Sequence, residues 1–134
     1  MTEPRPLPLR IFVVENHADT LHWLTMYLQD CGHTVGSARN LAEALEALPR
    51  ANWDVLVSDI GLPDGSGWDL LQKVQLPYPI FGIAISGFGG HADATRSRAA
   101  GFRAHLVKPF KMEELNLCLD QAAQFLAESR SGEI

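Results

Sequence analysis

The stretch "DVLVSDIGLPDGSG", residues 54–67, runs from a β-branched apolar segment into a carboxylate and then into a chain of turn residues. The segment "DVLVS" (54–58) does not alternate apolar with polar, so it reads as a strand buried on both faces, as in a parallel sheet covered on two sides. "LPDGSG" (62–67) gathers Pro, Asp, Gly and Ser and reads as a loop. Trp68, Leu71 and Val74 then give one helical face, which ends before Pro77.

The same alternation extends in both directions. "RIFVV" (10–14) and "IFGIAIS" (80–86) are two more buried strands, "HTVGSA" (33–38) is a weaker one suited to an edge, and "AHLV" (104–107) is the last, ended by Pro109. Leu21, Leu24, Leu28 and Cys31 mark a helix stopped by Gly32. Asn40 is placed to cap a helix bearing Leu41, Ala44, Leu45 and Leu48. A short helix covers about 91–100 before Gly101, and Met112, Leu115, Leu119, Ala122 and Leu126 form the face of the final one. Five strands alternating strictly with five helices imply right-handed crossovers and a parallel α/β sheet between two helical layers.

With 134 residues the chain holds one full core. Its 46% apolar and 20% charged residues are ordinary for a globular domain, and a net charge of -5 argues against non-specific nucleic-acid binding. No apolar run approaches the roughly 18 residues of a membrane span. The opening "MTEPRPLPLR" lacks the apolar stretch of a signal peptide, and its three prolines suggest a short extended tail. Cys31 and Cys118 both fall on apolar helix faces without paired spacing, and read as reduced core thiols of a cytoplasmic protein.

Polar residues fall where the strands finish. The first strand ends at Glu15 and Asn16, the third at Ser58 and Asp59, the fourth at Ser86 and the fifth at Lys108. Open α/β sheets bind ligands at the carboxyl ends of their strands. If the strand order is 2-1-3-4-5, Glu15, Asn16 and Asp59 share one pocket with Ser86 and Lys108 on its far side. Clustered oxygen ligands without His or Cys suit Mg²⁺. An aspartate can act as nucleophile and become an aspartyl phosphate, with Mg²⁺ and Lys108 neutralising charge and Ser86 donating to a phosphoryl oxygen.

"VVEN" after strand one, "VSDIGLPDGSG" around strand three, "AISG" ending strand four and "LVKPF" after strand five occur in this order and spacing. Together they make the chain resemble the receiver domain of two-component response regulators, from about residue 9 to 128. The resemblance implies a flavodoxin-like (βα)5 three-layer sandwich of strand order 2-1-3-4-5, flanked by tails at 1–8 and 129–134. It implies that Asp59 accepts a phosphoryl group from a phosphohistidine of a sensor kinase or histidine phosphotransfer protein. Ser86 stands at the position of the Thr or Ser that turns toward that group, and Lys108 at that of the phosphate-pairing lysine. The Lys108–Pro109 bond is expected to be cis, and the Gly61 carbonyl to join Glu15, Asn16 and Asp59 around Mg²⁺. Such a domain signals rather than catalyses, with slow autodephosphorylation at most, as a monomer or weak homodimer.

Two departures stand out. Glu15 and Asn16 replace the usual pair of acids, so the site holds two carboxylates rather than three and is expected to bind Mg²⁺ more weakly. His105 replaces the Tyr or Phe that swings inward, either as a pH-sensitive switch or as a half-exposed space filler. Arg96, Arg98 and Arg103 lie where receivers meet partners, or else form a solvated face. "GFGGH" (87–91) reads as a flexible loop that lets Ser86 move. Trp68 reads as packing. His17, His22, His33 and His91 share no zinc spacing, although His17 is close enough to the acidic pair to influence access to Asp59. Two other functions fit the topology: a pseudo-receiver that binds partners without phosphorylation, and an FMN carrier, which the first loop disfavours by lacking a Ser, Thr and Gly phosphate run.

Overall fold

A computed structural model describes residues 8–87 and 91–131. In chain order the elements are β1 (Arg10–Val14), α1 (Ala18–Asp30), β2 (Thr34–Ala38), α2 (Leu41–Ala47) with a 3-10 turn at Leu48–Arg50, β3 (Val55–Asp59), β4 (Gly61–Leu62), β5 (Gly65–Ser66), α3 (Gly67–Lys73), β6 (Phe81–Ser86), α4 (His91–Ala99), β7 (Ala104–Val107) and α5 (Met112–Ser131). Five strands form a parallel sheet in the order β2-β1-β3-β6-β7, which is the expected 2-1-3-4-5 once the hairpin β4-β5 is set aside. This is the flavodoxin-like architecture of the sequence reading.

β3 and β6 are buried from end to end and β1 from Ile11 onward, as their apolar runs require. Alternate residues feed two separate cores. Ile11, Val13, Val57, Ile83 and Ile85 pack with Leu24 and Leu28 of α1 and Leu115, Leu119 and Ala122 of α5. Phe12, Val14, Leu56 and Ala84 pack with Ala44 of α2 and Leu70 of α3. Each fully buried Leu or Ile contributes about 1.5–3 kcal/mol by leaving water, so both layers are held chiefly by apolar burial.

The structure departs from the sequence reading in four places. The third strand runs one residue later than expected, making Asp59 its last residue; the Ile60 N–H still donates to the Ile85 carbonyl at 2.9 Å and extends the ladder. The stretch 62–67 is not a plain loop. Leu62 and Gly65 pair across Pro63 and Asp64, and the Asp64 carboxylate accepts from the Leu41 and Ala42 N–H groups at 2.7 and 2.9 Å, tying the hairpin tip to the start of α2. Those backbone bonds hold the Asp64 carboxyl below its ordinary value. The Asn40 side chain caps the same helix by accepting from the Glu43 N–H at 2.8 Å.

Cys31 is exposed rather than part of the core, because α1 ends at Asp30 and Cys31 caps the helix at the rim before Gly32 turns the chain at φ +97°. Cys118 is buried as expected. The last helix continues through residues 129–131, which the sequence reading assigned to a tail; Gly132 is the first helix breaker after Pro109. Residues 1–7 of the expected N-terminal tail (1–8), the loop residues 88–90 and residues 132–134 of the expected C-terminal tail (129–134) lie outside the described residues. Among the described residues no helix is long and apolar enough to cross a membrane.

Candidate functional site

Register decides what meets at the carboxyl edge of the sheet. Val14 pairs with Ser58, Asp59 with Ile85, and Ser86 with Val107. Glu15 and Lys108 each follow directly on a strand, so the polar strand ends stand in one row.

Glu15 is only 1% exposed and Asp59 7%, and buried carboxylates need partners. Lys108 supplies one to both. Its Nζ donates to Glu15 Oε1 at 2.7 Å and to Asp59 Oδ2 at 2.8 Å. The Gly61 N–H donates to Asp59 Oδ1 at 3.0 Å, and the His17 N–H donates to Glu15 Oε2 at 3.1 Å. Burial works to raise the Glu15 pKa, but hydrogen bonds from Lys108 and His17 outweigh it and hold the carboxyl below its ordinary value. Burial likewise works to lower Lys108, yet its bonds to Asp59 and Glu15 hold the ammonium above the ordinary lysine value. Glu15 and Lys108 are therefore ionised throughout the neutral range. The Lys108–Pro109 peptide bond is cis.

Asn16 follows this pair, and its Oδ1 is buried without a hydrogen-bond partner. A buried amide oxygen with no donor is costly, and a hard cation would satisfy it. The Glu15 and Asp59 carboxylates and the Asn16 amide offer oxygen donors, which suits Mg²⁺ chemistry. His17, whose side chain is largely exposed, brings a ring nitrogen into the group: ligand atoms of Glu15, His17 and Asp59 all lie within 4.8 Å of one another. The other described histidines join no such cluster; His33 Nδ1 accepts from the Leu9 N–H at 2.9 Å.

Ser86 and His105 are also brought together. Ser86 Oγ lies 2.9 Å from His105 Nε2, so the histidine is in hydrogen-bond contact rather than filling space. The three arginines separate. Arg96 stacks on the Trp68 ring at 4.2 Å, Arg103 stacks on Phe125 of α5 at 4.1 Å, and Arg98 lines a small cavity with Phe102 and His105. Trp68 does more than pack: its Nε1–H donates to Ser97 Oγ at 2.8 Å. Ser97 is missing from the sequence reading. Its one signal there is a hydroxyl three residues before Ala100 on the inner side of α4, where it is 1% exposed.

The sequence profile of the response regulator receiver domain matches residues 11–120. The two-component response regulator PhoP of Pseudomonas aeruginosa is 34% identical over 113 residues, which cover 84% of this chain and 50% of that protein. The chain thus spans about half the length of that relative. Among solved structures, the signal receiver domain of a putative LuxO repressor protein from Vibrio parahaemolyticus matches with a TM-score of 0.85 at 21% identity, covering 96% of this chain and 99% of that one. The beryllofluoride-activated NtrC4 receiver domain dimer matches with a TM-score of 0.78 at 27% identity, over 86% of this chain and 96% of that one. Strand order, the row of strand-end residues and the profile agree: the chain belongs to the response regulator receiver domain family.

Proposed function

We propose that this chain accepts a phosphoryl group on Asp59 from a phosphohistidine of a sensor kinase or histidine phosphotransfer protein, in a Mg²⁺-dependent reaction. The observation that carries this reading is the Lys108 ammonium shared between two buried carboxylates, beside an amide oxygen without a partner. An ionised Asp59 oxygen attacks phosphorus, the phosphorus–nitrogen bond breaks, and the departing imidazole takes up a proton from water. Lys108 pairs with the carboxylate and cancels one of two negative charges; the incoming phosphoryl group adds roughly -2. Mg²⁺, held by Glu15, Asn16, Asp59 and the Gly61 carbonyl, would neutralise charge on the transferring group. Lys108 then exchanges its bond to Asp59 Oδ2 for one to a phosphoryl oxygen.

Ser86 would follow, turning its hydroxyl toward the phosphoryl group, and the altered contacts of Ser86 and His105 would favour a second state of the surface bearing Arg96, Arg98 and Arg103. The partner is another protein, met in the cytoplasm by a monomer or weak homodimer. The test is chemical trapping. After incubation with Mg²⁺ and acetyl phosphate, borohydride reduces an aspartyl phosphate to homoserine, and peptide masses should place homoserine at position 59. Homoserine elsewhere would contradict the assignment, and none in either the unmodified chain or Asn16→Asp would favour a pseudo-receiver that binds partners without phosphorylation.

A further inference from the structure

Four side chains from four elements lie in one line that ends at Ser86. Trp68 of α3 donates its Nε1–H to Ser97 Oγ of α4 at 2.8 Å, Ser97 Oγ lies 3.1 Å from Nδ1 of His105 on β7, and His105 Nε2 lies 2.9 Å from Ser86 Oγ on β6. Both ring nitrogens of His105 are engaged, and both serines are buried, at 1% and 4% exposure.

The line has a direction. An indole can only donate, so Ser97 Oγ must accept at Trp68. The hydrogen of Ser97 is then free to point at His105 Nδ1, 3.1 Å away. A neutral imidazole carries one hydrogen, so Nε2–H donates to Ser86 Oγ. The reverse tautomer would make Ser97 accept from both neighbours and take its own hydrogen out of the line. Burial lowers the His105 pKa against the opposing charge of Asp93, which keeps the ring neutral at neutral pH.

We infer that Trp68, Ser97 and His105 form a directed hydrogen-bond relay that positions Ser86 before phosphoryl transfer and carries its displacement to the surface at Trp68 and Arg96. The three are positioning residues, since none touches the Asp59 carboxylate. The inference rests on the phosphoacceptor reading above. When Ser86 turns toward a phosphoryl group, His105 Nε2 loses its acceptor, its bond to Ser97 slackens, and Ser97 releases the indole N–H. Arg96, stacked on the same ring at 4.2 Å, moves with it. The site and an exposed cation of α4 are thereby joined through contacts that are each either made or broken.

Nitrogen-15 NMR on the whole chain tests both parts. The His105 tautomer is read without any phosphoryl analogue: hydrogen on Nε2 is expected, and hydrogen on Nδ1 would overturn the direction of the relay. The Trp68 indole signal is identified by its loss in Trp68→Phe. On adding Mg²⁺ and beryllofluoride, the Gly61 amide and the Trp68 indole are both expected to shift. In Ser97→Ala the Gly61 amide should still shift while the Trp68 indole stays in place. An indole shift that survives Ser97→Ala, or its absence in the unmodified chain while Gly61 responds, would overturn the relay. A silent Gly61 would instead overturn the phosphoacceptor reading, and the reporting role with it.

Discussion

Asn16 is the residue that sets this site apart. Its buried, unpartnered Oδ1 occupies the place where a third carboxylate would add charge for a cation. Asn16→Asp should therefore tighten Mg²⁺ binding by about tenfold, measured by calorimetry, because affinity at such sites follows the ligand charge count. An unchanged affinity would mean that Asn16 lies outside the metal's coordination. Lys108 carries the opposite role. Lys108→Ala leaves Glu15 and Asp59 buried, adjacent and unpaired, and should cost on the order of 3 kcal/mol in urea unfolding at neutral pH. A loss below ~1 kcal/mol would show that water takes over the task. Glu15, Asp59, Ser86 and Lys108 were legible in the sequence because each stands where an apolar run stops. Ser97 and Trp68 were not: their bond joins two helices across 29 residues, and a single hydroxyl on a helix leaves no periodic trace.

At the scale of elements, the segment after β3 is the most tightly constrained. Gly67 opens α3 against the end of the strand, and a Cβ there would lie 2.2 Å from the Asp59 carbonyl oxygen and 2.9 Å from Ser58 Oγ. The carbonyl belongs to backbone that also holds the acceptor, so it cannot yield without moving the site. Gly67→Ala should lower stability by about 2–3 kcal/mol in urea and displace the Gly61 amide signal. A variant as stable as the parent would show that the loop relaxes freely. The five sheet strands and five helices were readable from apolar period and breakers alone. The β4-β5 hairpin was not, since two-residue strands carry no alternation, and its anchor is the remote start of α2, bonded through Asp64. The end of α1 was misread for a related reason: Cys31 continues the apolar spacing of Leu24 and Leu28 beyond the last turn, where nothing covers it.

For the whole molecule, the strand-end cluster ties stability to pH. Glu15 titrates below its ordinary 4.5, so its contribution is complete above that value and is lost as pH falls through the folded pKa. Lys108 titrates above its ordinary 10.5, so its contribution is complete below that value and is lost as pH rises through the folded pKa. The thermal midpoint should show a plateau between these limits that Lys108→Ala lowers. A plateau of equal height in the variant would remove the cluster from the stability account. The folded chain should also present one reactive thiol, Cys31, to a maleimide, while Cys118, raised by burial and by Glu114, reacts only on unfolding.

The central claim is that Asp59 is a working phosphoacceptor. Its most direct test is the intact mass of the chain after incubation with Mg²⁺ and acetyl phosphate, beside Asp59→Asn and a sample without the metal. The account predicts a gain of one phosphoryl group in the unmodified chain with Mg²⁺ and none in the other two. A gain that persists in Asp59→Asn, or no gain in the unmodified chain when Asn16→Asp also gains nothing, would contradict it.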